Sequence, residues 1–189
     1  MDWLQLAGWM AWPLGACALA AVGLFLERWN ALSSRRVLPK AWRAQMIETL
    51  ESGQSPKDLD RVAAGRMVAA LGAADARRRA RVQDVGQRLV AEMERGVSWL
   101  GTIAALAPLL GLTGTVLGMI KVFQRITEMG GGDAQALAGG IWMALLTTVI
   151  GLMVAMPTLV LHRLLQGRVT ARIGELELFG DALIEAAGE

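Results

Sequence analysis

The stretch "LAPLLGLTGTVLGM", Leu106 to Met119, holds no charged residue, yet it carries a proline, three glycines and two threonines. A helix facing only lipid needs none of these. Small residues let neighbouring backbones come close, and hydroxyls seek a polar partner across the contact. The segment therefore reads as a membrane helix turned toward other helices and a polar path.

Working outward, charge is missing from three long runs: Asp2 to Glu27, Arg95 to Lys121, and Asp133 to Arg163. Each exceeds the ~20 residues that cross a bilayer core of about 30 Å. Hydrophobic residues make up 54% of the chain. The fold class expected is an all-α integral membrane protein with three transmembrane helices, two of them extended into a cytoplasmic helical stalk. The expected order is a periplasmic N-terminus (1–6), transmembrane helix 1 (7–28), a cytoplasmic helical segment (29–95), transmembrane helix 2 (96–124), a periplasmic turn (125–134), transmembrane helix 3 (135–162) and a cytoplasmic helical tail (163–189).

Orientation follows from the basic residues. Fourteen Lys/Arg face eight Asp/Glu between Arg28 and Arg95, whereas the Lys121–Asp133 connection has two of each. The long segment belongs in the cytoplasm, and the N-terminus and short connection outside. Trp3, Trp9 and Trp12 mark the outer end of the first span, and Trp29 and Trp99 the inner ends of the first and second. Leu14-Gly15-Ala16-Cys17 has the look of a lipoprotein cleavage box, but the leader lacks a basic region, which argues against cleavage. The single cysteine, Cys17, is expected to serve packing.

In the cytoplasmic segment "ESGQSPKD", Glu51 to Asp58, is a break, after which Asp58 or Asp60 could cap a helix. Val82, Val85, Leu89, Met93 and Val97 recur at helical spacing and run into the second span, predicting one long helix. Val169, Ile173, Leu176 and Leu183 extend the third span in the same way. "RRRAR", Arg77 to Arg81, lies ~27 Å beyond the second span, too deep for headgroup contact. A solvated face is its plainest reading, pairing with Glu175, Glu177, Asp181 or Glu185 across the stalk is next, and nucleic-acid binding is not expected.

"EMGGGDAQ" separates the second and third spans, and its glycines mark a tight turn near Gly131. Folding there sets Thr115 and Thr148 at matched depth, each ~24 Å along its helix from the turn. Ala104, Pro108, Gly111, Thr115 and Gly118 form a small-residue stripe on one helix. Gly140, Ala144, Thr148, Gly151, Ala155, Thr158 and His162 form the other. Such stripes commonly do no more than pack helices, and a threonine hydroxyl can bond its own helix. Pro108 and Pro157 are expected to bend the two spans. No carboxylate lies inside any span, so this chain has hydroxyls to line an ionic path and no group to carry a proton through it.

"AALAPLLGLTGTVLGMIKVF", Ala104 to Phe123, with "GGIWMALLTTVIGLMVAMPTLVLH", Gly139 to His162, resembles the signature helices of the MotA/TolQ/ExbB proton-channel family. Glu27-Arg28 and the count of three spans resemble its ExbB/TolQ-like branch. The resemblance implies a homo-oligomer, a pentamer, around a single-span ExbD/TolR-like partner whose membrane aspartate carries the proton. It implies pore-lining roles for Thr115 and Thr148, with the adjacent Thr147 as a further hydroxyl. Gly111, Gly114, Gly118, Gly140, Ala144, Gly151 and Ala155 become helix-packing positions, and Pro108 and Pro157 kinks. The chain departs from the family at Met143, where many relatives carry glutamate.

The function so implied is a proton-channel subunit of an inner-membrane motor, driving a TonB/TolA-like effector for uptake across the outer membrane. A TolQ-like role in envelope integrity and a non-conducting membrane scaffold are the alternatives. Membrane lipids are expected partners, nucleic acid is not. One histidine and one cysteine offer neither a metal cluster nor a nucleophile–base set, so no enzyme activity, metal or cofactor is expected beyond the proton as coupling ion.

Overall fold

The computed structural model describes residues 10–54, 56, 59–72, 77–129 and 134–187. The expected leader with Trp3 and Trp9, Asp58, and the glycine turn at 130–133 lie outside these residues. Every regular element among the described residues is helical: α1 (Ala11–Ala31), α2 (Ser34–Val37), α3 (Lys40–Glu51), a 3-10 turn (Leu59–Arg61), α4 (Gly65–Ala69), α5 (Arg78–Met129) and α6 (Ala134–Ala186). Three of them, α1, α5 and α6, are long and apolar enough to cross a membrane.

The chain divides into two compact units. The first takes α1 up to Phe25 and Ser98–Arg163 of α5 and α6. Its interior is narrow. Leu14 of α1 is buried against Ala107 of α5 and Ala155 of α6, with Leu110, Ile150 and Val154 around them. Only Leu14 and Ala21 of α1 are buried, seven residues apart and therefore on one face. Trp12, Leu19 and Val22 are exposed, as are Leu109, Val116 and Phe123 on α5 and Leu145, Met153 and Met156 on α6. In water such a surface would be unfavourable; against acyl chains and other membrane helices it is ordinary.

The second unit takes Leu26–Val97 and Leu164–Glu189. Its two long segments follow the predicted periodicity: Val82, Leu89 and Val97 of α5 and Val169, Leu176 and Leu183 of α6 are all buried. Phe179, fully buried, centres a core closed by Met46 of α3 and Met67 of α4. Trp42 of α3 lies across it with ring centroids 5.9 Å apart. The segment is thus a small packed domain and more than a two-helix stalk.

Turn chemistry sets its connections. At the "ESGQSPKD" break α3 ends in a Schellman arrangement: Gly53, at φ +70°, donates to the Leu50 carbonyl at 3.0 Å while Gln54 donates to Thr49 at 3.0 Å. The expected cap at Asp60 is not formed. Asp60 sits inside the 3-10 turn, and α4 starts from Ala64 with no side-chain cap. Gly65 explains the start, because a Cβ there would run into the Leu59 backbone carbonyl. Gly72, at φ +50°, closes the α4 region in the left-handed conformation, and the long helix starts afresh at Arg78.

"RRRAR" is only partly a solvated face, which corrects the plainest reading. Arg78 is buried and donates to the Ala187 carbonyl at 2.8 Å, tying the start of α5 to the end of α6. Arg81 donates to the carbonyls of Ala70 and Leu71 at 3.2 and 3.0 Å. Arg79 reaches Asp181 at 3.9 Å, both well exposed. Two of these arginines hold backbone carbonyls that turns leave over, a use that residue counting does not reveal.

Candidate functional site

The α5–α6 contact inside the first unit is built from glycine. A Cβ on Gly111 would stand 2.9 Å from the Thr147 carbonyl oxygen, 3.1 Å from Thr148 Cα and 3.2 Å from Gly151 Cα. One on Gly151 would stand 2.7 Å from the Ala107 carbonyl oxygen and 3.0 Å from Gly111 Cα. The same holds for Gly114 against Thr147, Gly118 against the Ala144 Cβ, and Gly140 against Val122. At Gly111 and Gly151 backbone meets backbone, and at Gly114, Gly118 and Gly140 a side chain from the facing helix fills the place of the missing Cβ. Gly101 against His162, whose ring would lie 3.0 Å from an added Cβ, continues the same register. These pairs follow the antiparallel register that a fold-back near Gly131 implies.

The face is turned slightly from the stripe drawn on sequence. On α5 the closest positions are Ala107, Gly111, Gly114 and Gly118; Gly114, already named among the packing positions, and Ala107 stand where the stripe had Thr115 and Pro108. On α6 they are Ala144, Thr147, Gly151 and Ala155, with Thr147 in place of Thr148. One residue is about 100° of helix rotation, and that step separates the threonines into two kinds.

Thr147 belongs to the packing. It is 4% exposed, and its Oγ1 lies 2.7 Å from the Ala144 carbonyl oxygen and 3.2 Å from that of Gly111, so one proton is shared between its own helix and the facing one. Thr158 is also buried and donates to Val154 of its own helix at 2.7 Å. Thr113 and Thr115 of α5 donate to Leu109 at 2.8 Å and Leu112 at 2.6 Å. Thr148 differs from all four. Its hydroxyl is shielded from solvent and has no hydrogen-bond partner among the described residues, although the residue as a whole is only partly buried. A polar group so placed costs ~1–3 kcal/mol unless something satisfies it. Within a membrane water does not do so freely.

Pro108 and Pro157 lie within α5 and α6, and both helices continue through them. Met143 is exposed, one position before the buried Ala144. A further site missed on sequence lies in the second unit. Arg28, near the end of α1, lays its guanidinium against Gly96 of α5, where a Cβ would collide with it, and its Nη1 lies 3.4 Å from the Glu92 carbonyl oxygen. The Glu92 carboxylate in turn takes a bidentate pair from Arg66 of α4, at 2.8 and 3.0 Å. Those hydrogen bonds hold the Glu92 carboxyl below its ordinary range and push the Arg66 guanidinium up. The signal was a glycine inside a helix run, which sequence alone gives no reason to single out.

A three-span bundle with a glycine-packed hairpin and threonines in two environments defines an α-helical membrane protein. The model of the MotA/TolQ/ExbB proton channel family matches residues 54–178, and the chain belongs to that family, in its ExbB/TolQ-like branch. The biopolymer transport protein exbB1 of Vibrio cholerae is 32% identical over 188 residues, covering 92% of this chain and 82% of the relative. The Tol-Pal system protein TolQ of Haemophilus influenzae is 36% identical over 84 residues, 44% of this chain and 37% of the relative. An ExbB homolog of Methanothermobacter thermautotrophicus is 38% identical over 106 residues, 54% of this chain. The chain spans 37% of that protein's length and 31% of a matching ExbB-like protein from Synechocystis.

Proposed function

We propose that the chain is the ring-forming subunit of an inner-membrane proton-driven motor, working with a single-span partner that carries a membrane aspartate. The observation that carries the reading is the shielded, unpartnered hydroxyl of Thr148 in a span with no carboxylate. Rotation about χ1 would bring that hydroxyl to the accessible side of the residue, where a guest carboxyl group supplies both the missing partner and the proton carrier. Thr115, beside Gly114, adds a second hydroxyl on α5, while Thr147 holds the hairpin closed. In a homo-oligomeric ring, a pentamer, these hydroxyls would face a shared lumen.

The cycle needs little from this chain beyond geometry. A proton from outside neutralises the partner aspartate, which lowers the cost of moving it past Thr115 and Thr148. The proton then leaves toward the cytoplasm beyond His162. Each charge crossing 100 mV delivers about 2.3 kcal/mol of electrical work, which the ring turns into motion of a TonB-like effector for uptake across the outer membrane. A TolQ-like role in envelope integrity, acting on a TolA-like effector, is the second reading, supported by the similarity to TolQ. The excess of basic residues between Arg28 and Arg95 supports a cytoplasmic second unit and C-terminus.

The test is a Thr115→Ala/Thr148→Ala double variant in cells, with ring assembly checked by cross-linking. Loss of energised uptake with assembly intact is expected. Unchanged uptake would leave a passive scaffold as the better reading.

A further inference from the structure

The Arg168 guanidinium carbon sits 3.1 Å from the centroid of the Trp29 ring. In sequence both lie just past a span: Trp29 three residues beyond Leu26, Arg168 five residues beyond Arg163, or ~8 Å along the helix. That is the depth of the headgroup layer, where tryptophan concentrates. We propose that Arg168 and Trp29 form a binding site for the headgroup of an anionic phospholipid.

Three features of this corner support it. First, the charge is left over. Arg66, Arg79, Arg88 and Arg172 each have a carboxylate within salt-bridge distance, whereas the only partner of Arg168 among the described residues is the indole. From Ala134 to Gly174 α6 contains no acidic residue at all. Second, the indole holds the guanidinium through its central carbon, and a guanidinium has N–H groups on more than one side to offer a bidentate phosphate, a geometry that lysine does not reproduce. Third, apolar surface adjoins it on the membrane side. Leu26, one turn before Trp29 on α1, and Leu164, one turn before Arg168 on α6, are both more than half exposed. Phosphate above and hydrocarbon below is the pattern of a lipid molecule, and a soluble phosphate would leave the leucines uncovered. The site is independent of proton conduction.

Native mass spectrometry of the full chain, with equal phosphatidylglycerol and phosphatidylcholine added in detergent, tests it. Wild type should retain phosphatidylglycerol preferentially. Arg168→Gln and Trp29→Leu should each cut that retention about fivefold, the effect of one interfacial cation. Arg168→Lys should fail to restore it, Arg88→Gln should leave it unchanged, and inorganic phosphate should not displace it. Equal retention of both lipids by wild type would overturn the proposal without reference to any variant's folding. So would full retention in Arg168→Gln or in Arg168→Lys, the second showing charge alone at work. Displacement by inorganic phosphate would reassign the corner to a soluble anion and overturn the lipid proposal.

Discussion

Replacing Gly151 by alanine tests the hairpin where backbone approaches backbone most closely. The added Cβ would lie 2.7 Å from the Ala107 carbonyl oxygen, 3.0 Å from Gly111 Cα and 3.2 Å from Gly111 N. Unstrained contacts of this kind need about 3.5 Å, so the two helices must part by roughly 0.5–1 Å. Every atom met is backbone, so no rotamer can give way. Overpacking of this kind costs ~1–3 kcal/mol. Alanine also returns about 1 kcal/mol of helix propensity, which makes the net loss ~0–2 kcal/mol. Gly139 and Gly167, on the same helix, have nothing within 4 Å of an added Cβ, so there the same change should leave only the propensity gain. The assay is thermal unfolding of the purified protein in detergent, read by circular dichroism. Gly151→Ala should melt below wild type, and Gly139→Ala and Gly167→Ala at or above it. Because Gly111 and Gly151 meet each other, Gly111→Ala/Gly151→Ala should lose less than the two single changes together. A Gly151→Ala protein as stable as Gly139→Ala would refute the backbone-to-backbone contact.

In the second unit, Phe179→Ala should cost about 3–5 kcal/mol, since the ring is fully buried, and should raise protease sensitivity at the α3–α4 connection. Gly96→Ala should displace Arg28 and weaken its hold on the Glu92 carbonyl, so Gly96→Ala and Arg28→Ala should be non-additive in melting temperature. The Arg66–Glu92 pair gives a pH dependence. With its carboxyl held down by Arg66, Glu92 contributes stability that is present above the unfolded value near 4.5 and disappears as pH falls through the lower folded value. Both side chains are more than half exposed, so the contribution is no more than ~1 kcal/mol. Glu92→Gln should therefore melt slightly below wild type at pH 7, and the gap should close on acidification. A gap that widens toward low pH would contradict the pairing.

The spans were legible because charge is so costly in lipid that its absence over a run is nearly unambiguous, and the hairpin register followed from one glycine-rich break. The rotation of the contact face was not. Pro108 and Ala107, or Thr115 and Gly114, are adjacent positions that both suit a small-residue stripe, and which one meets the facing helix is decided by backbone approach. The second unit hid its core for another reason. Met46 and Met67 come from short helices with little periodicity, and they are buried only because Phe179 and Leu183 return from the far end of the chain. Arg78 and Arg81 looked like surface charge since a sequence shows the side chain and not the carbonyl that a turn leaves over.

The central claim is that neighbouring threonines on α6 do different work. It is tested most directly by proton flux into proteoliposomes containing the proposed ring and its proposed aspartate-bearing partner, with Thr147→Val and Thr148→Val compared. Thr147→Val should lower the melting temperature while flux per assembled ring survives, and Thr148→Val should abolish flux with melting unchanged or raised. A Thr148→Val complex that conducts like wild type would contradict the account.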